Sequence, residues 1–490
     1  MKRAFKNITS GTMIKIGELH TIPLKTNNTN RMKKLFPYII LPAFLILLGL
    51  CACKPNNKNT TAKVADTELK LEDSLLTLVQ YQTFGYFWDG AEPISGMARE
   101  RIHMDNNYPH NDQDVVTLGG SGFGVMAILV GIERGFITRE QGFERYRQIV
   151  DYLTKADRFH GAWPHWLDGP TGKVYPFSPK DNGGDLVETA FMIQGLLTVA
   201  EYFKEGNGPE QKLVADIEKL WEEVEWCWYT HGKDVLYWHW SPDYGWAMNF
   251  PVGGYNECLI MYILAASSPT HSIEPAVYDK GWALDGAIAK DTVYYGLPTI
   301  LNFYEHNNDP TGPLFWAHYS YLGLNPKGLK DKYADYWKLN QNQALIDYRY
   351  CVDNPKGYKG YGENQWGLTS SYSMRGYAGH HPGEADLGVI SPTAALSSFP
   401  YTPKESMQFL KYLYLEADSL IGKYGPYDAY SQSNNWYTPR YLAIDQGPIP
   451  VMIENYRSGM LWNLFMKNED VQSGLKKLGF KSPYLNNLTN

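Results

Sequence analysis

The sequence predicts an all-α fold in which two concentric rings of helices form an α/α toroid. Some of its helical segments are amphipathic, whereas others are apolar on nearly every face. A helix that is apolar all round must be buried, and an amphipathic helix can cover it. Because the two kinds alternate along the first half of the chain, we expect an inner ring of apolar helices inside an outer ring of amphipathic ones. Strand signals are few, and only residues 234–240 suggest a short β-ribbon.

The periodicity of apolar residues places the individual helices. Thr138 and Gln141 form a capping box, which starts an amphipathic helix that runs to Leu153. The other amphipathic segments are residues 68–87, 209–226 and 402–421. The apolar segments, which we assign to the inner ring, are residues 123–132, 186–199, 259–266, 392–399 and 448–465.

The geometry of such a toroid collects one kind of loop at one end. If outer and inner helices alternate antiparallel, the N-termini of all inner helices meet at one mouth, where the positive ends of their dipoles favour carboxylates. The segments that precede inner helices are rich in Gly, Trp, Tyr, His, Asp and Asn. They are residues 104–122, 160–184, 237–256, 360–391 and 424–447. The sequence therefore predicts long, aromatic-rich loops at one mouth of the toroid.

The N-terminal part of the chain is predicted to be a targeting segment. Residues 1–31 are polar and precede a possible start at Met32, so we interpret them as a mis-called extension. An apolar run follows at residues 36–50, which is shorter than the roughly 20 residues that a membrane-spanning helix needs. Leu at position −3 and Ala at position −1 make Cys53 the lipid-attachment residue of a lipobox-like site. Residues 32–53 are thus predicted to be a lipoprotein signal peptide.

The remainder is predicted to comprise a flexible tether, residues 54–70, and one catalytic domain, residues 71–490. We expect a monomer that touches the membrane only through its lipid anchor. It would lie in a bacterial envelope, facing the periplasm or on the surface of the outer membrane. The net charge of −7, without a basic run in this part, argues against nucleic acid as a partner.

The sequence suggests neither a cofactor nor a metal. It contains no dinucleotide fingerprint and no phosphate-binding glycine loop, and its histidines lack metal-ligand spacing. The cysteines that follow the signal are Cys227, Cys258 and Cys351. This odd, sparse set does not form a disulfide framework, so we expect free thiols.

Carboxylates recur directly before the apolar helices. Asp181, Asp185 and Glu188 surround a glycine turn at the start of the segment 186–199. Burying a charge costs several kcal/mol per ion unless the ion is paired or used, so this repetition suggests a carboxylate-lined pocket. A purely structural explanation stays open, because Asp185 and Glu188 also fit a capping box and Asp181 fits an Asx-turn.

Two further acids precede inner helices. Glu257 follows the glycine pair at residues 253–254, and its apolar surroundings would raise its pKa and keep it protonated near neutral pH, as a general acid requires. The alternative is a buried glutamate paired with an arginine. Asp445 precedes the segment 448–465 in the same way, and its alternative is an ordinary acid at a helix N-terminus.

The loops also carry side chains suited to sugar rings. Aromatic residues make up 14% of the chain, and many lie in loops rather than in helical stripes. An aromatic face stacks on the C–H face of a sugar while polar neighbours bond its hydroxyls. Core packing is the alternative for the aromatic residues, and pairing with a carboxylate is the alternative for the arginine. The candidates are Arg99, Trp163, His165, Trp246, Glu363, Trp366 and Trp436.

An ordered series of motifs resembles a known family. The motifs are GMARER at 96–101, TLGGSGFG at 117–124, DLVETA at 185–190, GYNE at 254–257, SPTH at 268–271, GYGENQWG at 360–367, SPTAA at 391–395 and IDQGP at 444–448. The chain resembles the glucoamylase-like family of bacterial proteins, in particular glycoside hydrolase family 144, whose members degrade β-1,2-glucan. The resemblance implies an (α/α)6 toroid and inverting hydrolysis, either within the glucan or from its non-reducing end with release of sophorose. It places the family's important acids at Asp181, Asp185, Glu188 and Glu257.

Residues and resemblance together predict a glycoside hydrolase that acts on β-1,2-glucan or sophoro-oligosaccharides. We expect Glu257 to be the general acid and Asp445 or Glu188 to activate water. The residues expected to hold sugar hydroxyls are Asp181, Asp185 and Glu363. Two alternatives stay open: a non-catalytic glycan-binding lipoprotein of the outer membrane, and a polysaccharide lyase on the same toroid. The lyase would need a basic subsite for uronates, which an acidic mouth disfavours by charge repulsion.

Overall fold

The computed structural model describes residues 57–302 and 309–485, with side chains from residue 67 onward. The chain divides into two units, Met1–Ser74 and Leu75–Asn490, and the second unit carries the site. The α-helices of the described residues, α1 to α14 in chain order, are Asn57–Trp88, Leu118–Glu133, Arg139–Leu153, Leu186–Phe203, Gly208–Glu222, Leu259–Ser267, Pro275–Val277, Tyr336–Asp353, Pro392–Leu396, Pro403–Leu415, Ala443–Gln446, Pro448–Arg457, Met460–Phe465 and Glu469–Lys477.

The strands are short and belong to loops. In chain order, β1 to β15 are Arg101–His103, Val115–Thr117, Trp166–Asp168, Val174–Tyr175, Gly184–Asp185, His239–Trp240, Ala289–Tyr294, Leu297–Leu301, Ser371–Ser373, Gly376–Ala378, Ile421–Gly422, Gly425–Pro426, Tyr430–Ser431, Trp436–Tyr437 and Arg440–Leu442. They form antiparallel pairs, apart from the three-stranded sheet β2–β3–β4. A fold of buried helices with small ribbons between them is the all-α architecture that the sequence predicts.

The apolar helices form the inner ring. Helix α2 packs against α4, α4 against α6, and α6 against the 3-10 turn Tyr319–Tyr321. On the other side α9 packs against α12, which in turn packs against α2. The amphipathic helices α3, α5 and α10 cover α2, α4 and α9 from outside. The predicted (α/α)6 toroid is therefore confirmed.

Most predicted helices are present, with shifted ends. The capping box at Thr138 is confirmed, since its hydroxyl accepts from Gln141 N and the Gln141 side chain accepts in return. Helix α2 begins at Leu118, before the predicted residue 123, although glycines fill its first turns. Those glycines serve packing, because a Cβ on Gly122 would collide with the Phe191 carbonyl of α4.

One local expectation was wrong. The segment 448–465 is not one helix, because Gly459 adopts φ +72 between α12 and α13. Residues 57–70 belong to α1, and the flexible tether at residues 54–70 stays a prediction. The short ribbon predicted within residues 234–240 is confirmed in part, since His239–Trp240 forms a strand that pairs with Gly184–Asp185.

The ribbons position the starts of the inner helices. Strand β2 leads directly into α2, β5 into α4, and β15 into α11. Each of these strands is paired, β2 with β3, β5 with β6, and β15 with β1. The strand pairs therefore link the loops at the mouth to one another at the points where inner helices begin.

The cysteines Cys227, Cys258 and Cys351 are free, which confirms that prediction. Among the described residues, α4 is long and apolar enough to cross a membrane, but it is buried as a core helix of the toroid. The predicted signal peptide with Cys53, and the segment 1–31 before it, lie outside the described residues.

Candidate active site

Buried carboxyl groups collect where the inner helices begin. The backbone N–H of Gly119, in the first turn of α2, donates to Glu188 in the first turn of α4 at 2.8 Å. These two inner helices therefore start side by side, as a common mouth requires. A Cβ at residue 119 would collide with the Glu188 carboxylate, so glycine permits this approach. The buried acids at the mouth are Glu100, Asp181, Asp185, Glu188, Glu257, Asp428 and Asp445.

Asp185 is held entirely by protein donors. As the N-cap of α4 it accepts from the Glu188 N–H at 2.9 Å. Its other oxygen accepts from the Trp238 indole at 2.9 Å and contacts His165 Nδ1 at 2.8 Å. The residue has no exposed surface. The oxygens of Asp185 thus orient His165 and α4, and its predicted contact with sugar hydroxyls stays a prediction.

His165 is a cation in this acidic setting. Burial would lower the pKa of its imidazole, but Glu188, Asp185 and Asp181 together raise that pKa to about 10. The ring packs against Phe177 at 4.2 Å between centroids, and Phe177 is itself 46% exposed. With Nδ1 committed to Asp185, the Nε2–H remains to donate to a ligand hydroxyl. Asp181 lies nearby and contacts His239 Nε2 at 3.0 Å.

Glu188 and Glu257 both retain protons near neutral pH. Burial raises the pKa of Glu188 to about 8, with His165 opposing and Asp185 reinforcing the shift. Burial likewise raises the pKa of Glu257 to about 7, and Asp185 adds to it. Within the described ranges no other side chain bonds to the Glu257 carboxyl. The main-chain carbonyl of Glu257 accepts a hydrogen bond from the Ser320 hydroxyl. A group of this kind can donate a proton at neutral pH.

Asp445 forms a pair with Asp428. Both residues are 2% exposed, and their carboxyl groups are near enough to shift each other's pKa. Burial and the charge of Asp428 raise the pKa of Asp445 well above its usual value, whereas burial raises that of Asp428 only to about 6. The Asp445 carbonyl accepts from the Thr393 hydroxyl at 2.6 Å, which fixes α11 against α9.

Two tyrosines, which the sequence did not single out, lie close to these acids. Tyr319 is buried against Phe123 and Phe191, and it interacts electrostatically with Asp445, Glu188 and Glu257. Burial raises the pKa of its phenol well above the usual value, so the group stays neutral. Tyr377, on strand β10, is 46% exposed and interacts electrostatically with Asp445, Asp428 and Glu100.

Several predicted sugar contacts lie elsewhere. Trp163 and Trp366 have no exposed surface, and their indoles donate to the carbonyls of Leu153 and Glu405, so both are core residues. These two expectations were wrong because the aromatic content of a loop does not reveal which side chains turn inward. Arg99 bonds to Asp114 at 2.5 Å, which is the carboxylate pairing left open as its alternative.

The other three candidates are also separate from the acids. Trp246 lies in an aromatic group with Trp228, His231 and Tyr237, with a centroid distance of 4.6 Å to His231. Glu363 is exposed in a turn closed by Gly362 and Gln365. Trp436 is partly exposed on strand β14. The contacts described for these side chains include none of the acids at the mouth, and their predicted contacts with sugar stay predictions.

The acids that sequence reasoning missed lay in segments already assigned to the mouth or its motifs. Asp428 falls in the predicted mouth loop 424–447, and Glu100 stands beside Arg99 in the motif 96–101. Burial raises the pKa of Glu100, while Arg101 and His165 oppose that shift. Neither acid stands at a helix start, so the position rule that selected Asp185 and Glu257 passed over them.

Comparison with known proteins identifies the family. A family model described as “Putative glucoamylase” matches residues 249–469. The structure of an endo-β-1,2-glucanase from Chitinophaga pinensis, solved with sophorotriose and glucose, is similar with 65% identity and a TM-score of 0.84. That match covers 84% of this chain and 99% of the other. The chain belongs to glycoside hydrolase family 144. The family predicted from the sequence motifs is confirmed.

Other proteins that this family 144 chain is similar to differ in length or identity. An exo β-1,2-glucooligosaccharide sophorohydrolase (non-reducing end) of Parabacteroides distasonis is 46% identical over 441 residues, which cover 86% of this chain and 60% of that protein. The chain thus spans about 60% of the length of this curated relative. The endo-β-1,2-glucanase of Talaromyces funiculosus, solved with sophorose, is 10% identical with a TM-score of 0.59, covering 85% of this chain and 92% of the other. At that identity the likeness shows the toroid fold alone.

The cationic state of His165 predicts a pH dependence of stability. Its pKa is about 10 in the folded chain and about 6.5 when unfolded, so its stabilising contribution is complete below about pH 6.5 and is lost as pH rises through about 10. We expect His165→Asn to flatten the fall in the free energy of unfolding between about pH 8 and pH 10, measured by urea denaturation. The same change at exposed His110 should leave that slope unaltered. Equal slopes in wild type and His165→Asn would contradict the assignment.

Proposed function

We propose that this family 144 chain is a glycoside hydrolase that cleaves β-1,2-glucan. The relatives that match nearly its whole domain carry the names β-1,2-glucanase and sophorohydrolase. The mouth of the toroid supplies what such a reaction needs, namely a protonated carboxyl and a second carboxyl system that can accept a proton. The acidic mouth also suits a neutral glucan better than an anionic uronate.

Glu257 is the proposed general acid. Its pKa of about 7 keeps a large fraction protonated at neutral pH, and this is the observation that carries the proposal. The carboxyl would donate its proton to the glycosidic oxygen as the bond to the anomeric carbon breaks. The family resemblance implies inversion, in which water attacks the opposite face of the sugar.

Asp445 is the proposed water-activating residue, in preference to Glu188. Glu188 is bonded to the Gly119 N–H, and its neighbour His165 is already a cation that cannot take up a further proton. Asp445 instead has the Asp428 carboxylate beside it. The exposed aromatic faces of Phe177 and Tyr377 flank the acids and are proposed to stack on sugar rings. Asp181 is proposed to bind a hydroxyl.

Replacing Glu257 tests the acid. We expect Glu257→Gln to lower kcat on linear β-1,2-glucan by about 10²- to 10⁴-fold, because the amide cannot donate the proton. In the wild type, activity should fall above about pH 7, since Glu257 then loses its proton. Release of reducing ends measures both effects. Glu416→Gln, an identical change at an exposed residue directly after α10, is the control and should keep wild-type activity. A folded Glu257→Gln protein with wild-type kcat would refute the assignment.

Endo cleavage is the proposed mode. The endo-acting relative from Chitinophaga pinensis is 65% identical and is covered over 99% of its length, whereas the exo-acting relative is 46% identical and much longer than this chain. We expect the earliest products from long linear β-1,2-glucan to span many chain lengths, as resolved by chromatography. Sophorose as the sole early product would instead indicate exo action.

Attachment to the membrane through Cys53 is proposed from the sequence alone. The lipobox-like site would place a monomeric catalytic domain in a bacterial envelope, facing the periplasm or the cell surface. We expect the full chain expressed in a bacterium to partition into detergent and the Cys53→Ser variant to lose this behaviour. Cys51→Ser, a matched change two residues away, should still partition into detergent. Unchanged partitioning of Cys53→Ser would refute the anchor.

A further inference from the structure

The Asp428–Asp445 pair is built differently from an ordinary buried ion pair. Asp428 lies in the loop between β12 and β13, and Asp445 lies in α11. The Tyr372 N–H donates to Asp428 Oδ2 at 2.7 Å and thereby fixes that carboxyl. The Tyr372 hydroxyl contacts His103 Nε2 at 2.8 Å, so the anchoring residue is itself held at both ends.

Each of the two acids has one carboxyl oxygen to which no other group of the described residues donates a hydrogen bond. Asp428 Oδ1 and Asp445 Oδ2 are both buried and have no hydrogen-bond partner in the part of the chain that the structure describes. Ionised carboxylates only accept hydrogen bonds, so two of them in contact repel each other. One proton shared between these oxygens satisfies both at once. A pair that shares one proton in this way carries a single negative charge.

We propose that Asp428 is a positioning residue that acts through Asp445 as the terminal acceptor of the proton released by the attacking water. Because the inference rests on the proposed hydrolysis and on Asp445 as its water-activating residue, it concerns only where that proton finally resides. In this arrangement Asp445 passes a proton on rather than storing it.

The step balances in atoms and charge. The water oxygen bonds to the anomeric carbon, and the water proton moves to Asp445 Oδ1. The proton of Asp445 Oδ2 moves at the same time to Asp428 Oδ1. The electron pair of the glycosidic bond leaves with the departing oxygen, which takes the Glu257 proton. The acid pair thus changes from one negative charge to none while Glu257 gains one, and exchange with solvent restores both.

The electrostatics of the pair support this direction of transfer. Burial and the charge of Asp428 raise the pKa of Asp445 well above its usual value, whereas Asp428, with a pKa of about 6, is mostly ionised above that pH. Glu100 raises the pKa of both acids and is itself near Arg101 at 3.8 Å. Arg440, whose carbonyl accepts from the Asp428 N–H, directs its guanidinium to Asp105 at 3.0 Å. The neighbouring phenols of Tyr319, Tyr372 and Tyr377 have raised pKa values and stay neutral.

The decisive variant is Asp428→Asn. Its carbonyl can still accept from Tyr372 N–H and its amide can donate to Asp445, so the geometry is preserved while the final proton acceptor is lost. We expect kcat on β-1,2-glucan to fall at least about tenfold with KM close to wild type. The acid limb of the pH–rate profile should move away from pH 6, because the Asp428 carboxyl that titrates there is gone and the buried Asp445 alone then sets the limb.

A proton inventory supplies a readout that mere structural damage would not change. Rates in mixtures of light and heavy water should curve for the wild type, in which two protons move together, and become linear for Asp428→Asn. Asp347→Asn is the matched control. Asp347 is equally buried, accepts one backbone N–H at 3.2 Å and has one oxygen without a partner, yet it lies in α8. The Asp347→Asn variant should keep the wild-type kcat, the wild-type acid limb of the pH–rate profile and a curved proton inventory.

The possible outcomes distinguish a failure of the proton relay from a failure of the proposed hydrolase function. Wild-type kcat, acid limb and inventory in Asp428→Asn, with Asp445→Asn inactive, would overturn the relay and leave the hydrolase assignment intact. Full activity of Asp445→Asn would overturn the water-activating residue itself. If Asp428→Asn loses activity through misfolding, the pH dependence of its residual activity still tests the relay. An acid limb unchanged from wild type would overturn it. The double variant should be no slower than the slower single variant, since both residues serve one proton path.

Discussion

The site depends on a shortage of positive charge among its buried carboxyl groups. Carboxyls from several inner-helix starts share one mouth, and the cations that face them are His165 and Arg101. Two like charges in one low-dielectric site cannot both persist without cost, so protons are retained on some of the acids. The pKa values of Glu188 and Glu257 are accordingly raised to about 8 and about 7, and that of Asp445 is raised well above its usual value. The chemistry available to the chain follows from which acids keep their protons and which do not.

The toroid produces this crowding through its geometry. Parallel inner helices bring their first turns to one end, and the close approach of α2 to α4 lets a main-chain N–H of one helix bond to a carboxylate of the other. The paired strands that precede α2, α4 and α11 then fix the loops in which the remaining acids lie. The helix dipoles at this mouth offset part of the cost of assembling so many carboxyls.

Much of this arrangement could be predicted from sequence because two patterns are periodic. Apolar runs identified the inner helices, and the position rule then located Glu188, Glu257 and Asp445 at their starts. The choice of loop aromatics as sugar contacts was wrong for Trp163 and Trp366, because position in a loop does not show that a side chain turns into the core. The position rule also passed over Asp428 and Glu100, whose approach to the other acids is made by long-range strand pairing. Pairs such as β1 with β15 join residues more than three hundred positions apart, and no local pattern encodes them.

The β5–β6 ribbon couples the aromatic loop after α5 to the buried carboxylates at the mouth. Successive residues of a strand face opposite sides, so His239 contacts Asp181 while Trp240 packs against Phe159 and His160. The partner strand ends in Asp185, the residue that starts α4. Exchanging the aromatic loop after α5 for one from a relative would therefore also change the positions of Asp181 and Asp185. In this protein, the loop after α5 is not a module that can be swapped independently of the carboxylates beneath it.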